Sequence, residues 1–175
     1  MNKLFFSLLF IGLVISSGFK IPAGNNWTID SKYSVKFTAG SFKGTIKGLK
    51  GSIVFDENDL TNASFNVKFD VNTIDLGDSE NTNHAKDKER LDVKNHAYID
   101  FKSTSFTKTS KGYEVKGDMT IKGKTKSISF PFTFAKKSKT ATFKGGFKIS
   151  PADFGISEEE ISGGIKIDFT IPVKQ

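Results

Sequence analysis

The chain has 175 residues, 37% hydrophobic and 26% charged, with a net charge of +7 and no cysteine. That balance excludes a disordered tail, a disulfide scaffold and any thiolate metal or catalytic site, and it leaves room for one domain with a sizeable core. Arg90 is the single arginine, so the positive charge is almost all Lys. Bidentate reading of phosphate or guanine prefers Arg, which argues against nucleic-acid binding.

The first segment is MNKLFFSLLFIGLVISSG. Lys3, an apolar run over Leu4–Ile15 and the small residues Ser16, Ser17 and Gly18 give the pattern of an exported leader. The run is too short for a spanning helix. With no Cys, a lipid-anchored form is not expected. Residues 1–20 are therefore expected to be a signal peptide, cleaved near 18–24, ahead of a single domain at 25–175.

Beyond it, apolar residues recur with period 2. The first run is Trp27, Ile29, Ser31, Tyr33, Val35, Phe37 and Ala39. The second, over 42–55, changes parity between Ile46 and Leu49, which predicts a bulge or bend near its glycines. The third is Phe65, Val67, Phe69 and Val71. The fourth is Ile99, Phe101, Ser103 and Ser105. The fifth is Tyr113, Val115, Gly117, Met119 and Ile121, and the sixth Ile128, Phe130, Phe132 and Phe134. The seventh is Ala141, Phe143, Gly145, Phe147 and Ile149. The last is Ile165, Ile167, Phe169, Ile171 and Val173. Turn signals (DENDLTN, SKG, KGK, KKSK) separate them. Pro131 interrupts the sixth run and predicts a bulge or a locally unpaired site.

Each run has one apolar and one wet face, and no long helix is available to cover such a sheet. The sheet must cover itself. The prediction is an all-β fold, a roughly eight-stranded antiparallel barrel. The chain has 18 Phe against 3 Tyr and 1 Trp, which asks for a large dry interior. Small inward residues such as Gly117 and Gly145 either leave hollow space or relieve crowding.

One stretch breaks the alternation: SENTNHAKDKERLDVKNH, 79–96. It holds both histidines and Arg90. Ser79 is a candidate cap for a helix over about 80–92, with His84, Lys88 and Leu91 on one face. This places a short helix between the third and fourth strands, as a lid. His84, Asp87 and Glu89 match no defined metal-ligand spacing, and no nucleophile motif accompanies them. No catalytic residue, metal or cofactor is therefore expected.

The candidate cavity lining follows from the inward parity. It comprises Val35 and Phe37 from the first run, Ile53 from the second, and Phe65, Val67 and Phe69 from the third. Ile99 and Phe101 come from the fourth, Met119 from the fifth, and Ile128, Phe130 and Phe132 from the sixth. Phe147 and Phe169 come from the last two, and His84 and Leu91 from the lid.

Several segments carry a family resemblance. WTIDSKYSVKF opens the domain, with Tyr33 where the family has His. GDMTIKGKTKSISFPF is the most specific match. FKISPADFGI follows, with Pro151 where the family has Arg. The 79–96 stretch aligns through His84, Asp92, Val93 and Phe101, with Asn81 and Thr82 in place of an Arg–Asp pair. The chain resembles the YceI-like family over 27–173. That resemblance implies a bacterial, periplasmic or secreted protein with a lipocalin-like barrel that binds a polyisoprenoid or related long-chain amphiphilic lipid. An enzyme acting on lipid through the His84 region, or a filled barrel serving as an interaction module, are the alternatives. Peripheral contact with an anionic membrane surface and pairing of two barrels as a homodimer stay open.

Overall fold

The structure is a computed structural model and describes residues 25–159, 161 and 163–175. The expected leader lies outside the described residues. Ten strands form the sheet: β1 (Asn26–Ile29), β2 (Ser34–Ala39), β3 (Phe42–Thr45), β4 (Lys50–Val54), β5 (Ser64–Asp70), β6 (Tyr98–Thr109), β7 (Gly112–Ile121), β8 (Lys124–Lys137), β9 (Thr140–Ile149) and β10 (Ile165–Lys174). Among the described residues one α-helix, α1 (Ser79–Lys86), follows β5.

The pairing order is β1-β4-β5-β6-β7-β8-β9-β10, and β1 pairs again with β10, closing an eight-stranded antiparallel barrel. β2 continues along the same edge of β10 that β1 begins, with Thr28 opposite Lys174 and Thr170 opposite Ser34. β3 pairs with β2 as β4 pairs with β1. The first two runs are thus long strands broken in the middle. α1 falls between the third and fourth barrel strands, as the spacing predicts.

Each break has a local cause. The first run was expected to be continuous, but the chain turns at Asp30–Tyr33, where Asp30 accepts from the Lys32 amide at 2.9 Å. Ser31 is exposed there. The Tyr33 hydroxyl accepts from the Leu49 amide at 3.0 Å, tying the first break to the second. The second break is the parity switch expected at Ile46–Leu49. Both of those residues are buried.

One further expectation needs correction, and the two alternatives offered for Pro131 are decided in favour of the locally unpaired site. Ser105 was placed on the inner face, but a register shift between Ser103 and Ser105 inserts one residue in β6. Beyond it the parity inverts, Ser105 is exposed, and Phe106 turns into the core. Pro131 causes no bulge. It stays in register opposite Glu114, and the ladder from β8 to β9 begins only at Phe132. Proline therefore sits where one side of the strand is unpaired, where its missing N–H costs no ladder bond.

The glycine question is resolved at three inner positions. A Cβ at Gly117 would lie 2.6 Å from the Phe101 ring and one at Gly145 2.5 Å from the Phe169 ring, and Gly44 is covered in the same way by Phe37. Each glycine gives a neighbouring Phe a niche against the wall. Crowding is relieved, and the tips of these rings occupy the niches.

Candidate functional site

The barrel has two unlike ends. At the end holding the turns 109–112 and 137–140, aromatic rings fill the interior. Phe55 is fully buried, and the rings of Phe65, Phe106, Tyr113, Phe132, Phe134 and Phe143 surround it at 4.9–6.2 Å. Trp27 seals this end. Its indole N–H donates to the Phe55 carbonyl at 2.9 Å, and its ring meets Phe134 edge-on at 5.6 Å. Burial pushes the Tyr113 hydroxyl pKa up from its ordinary value, with the Glu57 charge adding in the same direction.

The other end is hollow. A cavity of about 170 Å³ lies beneath α1, and a second of about 90 Å³ lies deeper. Val35, Phe69, Met119, Phe147 and Ile167 line both, so the two cavities adjoin within the barrel lumen. Its surface is almost wholly apolar. Phe130 and Phe147, on the neighbouring strands β8 and β9, stack side by side on its wall at 4.5 Å, just beyond the point where the two strands stop pairing.

The mouth is built by two loops and α1. Asp78 caps the helix, accepting from the Asn81 amide at 2.8 Å, in the role expected of Ser79. The Asn81 side chain also donates to Asp78 at 2.8 Å. These bonds favour the carboxylate and hold the Asp78 pKa below its ordinary value. The helix stops at Lys86, short of the expected 92, because the chain turns at Asp87 and again at Asp92. Asp92 has φ 47° and its carbonyl accepts from the His96 amide at 2.9 Å. Lys88 is consequently exposed and shares no face with His84. Leu91 reaches the cavity from the turn instead.

The buried Arg90, with 6% exposure, pins the second loop. Its Nη1 donates to the Ser157 carbonyl at 2.6 Å, and Nη2 sits 3.5 Å from His84 Nε2. Lys122 Nζ bridges the Glu89 and Gly155 carbonyls at 3.2 and 3.1 Å. The Ser157 amide donates to the Glu89 carbonyl at 3.2 Å. Together these bonds fold 151–157 over the mouth and bring Ile156 to the lumen. On the opposite side, Thr45 and Asp75 exchange backbone bonds at 2.9 and 3.0 Å, closing the gap where β3 leaves β5.

The placement of the candidate residues is specific. Val35, Phe37, Phe69, His84, Leu91, Ile99, Met119 and Phe147 face the upper cavity. Ile53, Phe65, Val67, Phe101, Phe130, Phe132 and Phe169 face the lower one. Ile128 lines neither and packs against the core from its edge. Sequence reasoning missed Arg90, Asn81, Ile46, Ile74, Leu76, Ile156 and Ile161, all of which line the upper cavity. They come from loops and the helix, where strand parity has nothing to say. The one usable signal was Arg90 itself, a lone arginine in a lysine protein.

Among the described residues, no group of three His, Asp or Glu could hold a metal. His84 Nδ1 lies 3.4 Å from Asp87, both about half exposed.

The sequence profile of the YceI-like domain matches residues 27–174. The chain belongs to the YceI-like family. A UPF0312 protein of Serratia proteamaculans is 30% identical over 66% of this chain and 64% of its own length. Protein YceI of Escherichia coli is 24% identical over 99% of this chain and 97% of its own. Among solved structures, Burkholderia cenocepacia BcnA superposes with a TM-score of 0.77 at 25% identity, over 83% of this chain and 99% of that one. A polyisoprenoid binding domain from Saccharophagus degradans shares the fold at a TM-score of 0.64 and 11% identity, over 86% of this chain and 98% of its own. The YceI-like fold and the eight-stranded antiparallel barrel expected from the residues are thus the same fold.

Proposed function

We propose that this YceI-like protein is an exported binding protein that holds the tail of one amphiphilic lipid, an isoprenoid or an acyl chain, in its lumen, as a carrier or sequestering protein. The observation that carries the reading is the pair of adjoining apolar cavities beneath a mouth where Asn81, His84 and Arg90 gather. Each buried CH₂ contributes about 0.8 kcal/mol, so a tail of a dozen carbons supplies roughly 10 kcal/mol before the cost of immobilising it. That is enough for firm binding without polar specificity along the tail. The polar end of the ligand belongs at the mouth, facing Asn81, His84 and Arg90. The polyisoprenoid binding relative supports an isoprenoid as one candidate tail. The leader pattern in the sequence supports export.

The reading is binding and not catalysis. His84 Nδ1 faces Asp87 at 3.4 Å, and the lumen below them is apolar, which supports holding a ligand over reacting with it. Purified protein would be extracted with organic solvent and the extract examined by mass spectrometry, followed by titration with a fluorescent acyl probe. A single-tailed lipid in the extract and saturable probe uptake are expected. Empty extracts together with no uptake would end the proposal.

A further inference from the structure

We infer that the tail is a single short chain of about 12–16 main-chain carbons, or three to four isoprene units; this rests on the lipid-holding reading and sets its limit. Along β10 the lumen is lined by Ile165, Ile167, Phe169 and Ile171, and it ends before Val173, which is buried in the aromatic core. The span from 165 to 171 covers about 20 Å of strand at roughly 3.3 Å per residue. A tail running along the axis, with a barrel tilt of about 35–45°, spans about 15 Å, or roughly 12 carbons, and one following the tilted strand spans about 20 Å, or roughly 16. A zigzag chain with bonds of about 1.5 Å advances about 1.25 Å per carbon, and an isoprene unit contributes about four carbons to the main chain.

The other strands stop at the same depth. On β7, Ile121 and Met119 face the lumen, whereas the fully buried Val115 belongs to the core. On β6, Ile99 and Phe101 face it, whereas Phe106 packs on Phe55 at 5.9 Å. The floor is Phe65, Phe132 and Phe143, each in ring contact with Phe55. The bore is also narrow. Cavities of about 170 and 90 Å³ fall below the roughly 300–1,000 Å³ usual for small-molecule pockets, which favours one extended tail over a folded one. A longer chain leaves its remainder outside the mouth, in water.

The test is a length series on the full chain. Saturated fatty acids of about 8 to 22 carbons, and prenyl phosphates of about two to eight isoprene units, would displace a fluorescent acyl probe. Affinity is expected to rise about fourfold per methylene up to some 12–16 carbons and then level off. Prenyl phosphates should level off at three to four units. The two arms separate acyl from isoprenoid ligands. Continued gain beyond about 18 carbons, or an eight-unit prenyl phosphate binding far more tightly than a four-unit one, would overturn the limit. Absence of binding at every length would instead overturn the lipid-holding reading itself. A folded Phe65→Leu variant, with a smaller side chain at the floor, should move the plateau to longer tails; an unmoved plateau would refute the floor assignment.

Discussion

The two ends of this barrel use the same side chain for opposite purposes. At the filled end, Phe rings converge on Phe55 and leave it no exposed surface. At the hollow end, the rings of Phe37, Phe101 and Phe169 lie back over Gly44, Gly117 and Gly145. Phenylalanine content alone therefore does not decide whether a barrel is solid or hollow. What differs is the wall beside the rings: at the hollow end Gly44, Gly117 and Gly145 leave room for the tips of Phe37, Phe101 and Phe169.

That contrast can be broken from either side. The largest effect should come from Phe55→Ala, which removes the centre of the filled end and should cost about 3–5 kcal/mol in urea denaturation. The matching truncation at the hollow end, Ile167→Ala, should cost only about 2 kcal/mol, because that side chain already faces a void. Equal costs would erase the distinction between the ends.

Next comes Gly117→Ala. Its Cβ would press on the Phe101 ring and lie 2.5 Å from the Lys102 carbonyl oxygen. A loss of about 1–3 kcal/mol is expected, with weaker uptake of an acyl probe as the ring is driven into the lumen. Unchanged uptake would show that the niche does not set the bore. A smaller effect of opposite sign should follow Ala39→Met, which adds bulk to the upper cavity. Stability should rise by about 0.5–2 kcal/mol while probe affinity falls, in paired calorimetry and titration.

The smallest effect belongs to the mouth. The Asp78 carboxylate caps α1, and its pKa is lowered chiefly by the Asn81 side chain. A lowered folded pKa means that the cap is fully present above the ordinary carboxylate value, 3.8, and is lost as pH falls through the lower folded value. Amide protection factors in Ser79–Lys86, with the intrinsic pH dependence of exchange divided out, should therefore fall in that acidic window and hold steady from pH 5 to 7. Asp78→Asn, which retains a capping oxygen, should flatten the response.

Much of the barrel was legible because alternation is a direct consequence of strand geometry. The inner faces of β5, β7, β9 and β10 could be read residue by residue. The reading failed where one inserted residue reverses the count, as at Ser103–Ser105, which hid Phe106 from view. It also failed where lining comes from loops. Ile46, Ile74 and Ile156 reach the lumen through turns and long-range bonds that no local period encodes. Ser79 was preferred over Asp78 as the cap because both residue types cap well and only the fold chooses between adjacent ones. Arg90 shows the same limit in its chemistry. Its charge was plain, but its burial depends on Ser157, a residue far away in sequence.

The central claim is that one lipid tail occupies the hollow end and stops at the filled end. Methyl-labelled protein titrated with dodecanoate tests it most directly by NMR. The account predicts that the Met119, Ile165 and Ile167 methyl signals shift to saturation while those of Val115 and Val173 stay in place. Shifts at Val115 and Val173, or a saturating ligand that leaves Met119 and Ile167 unmoved, would contradict it.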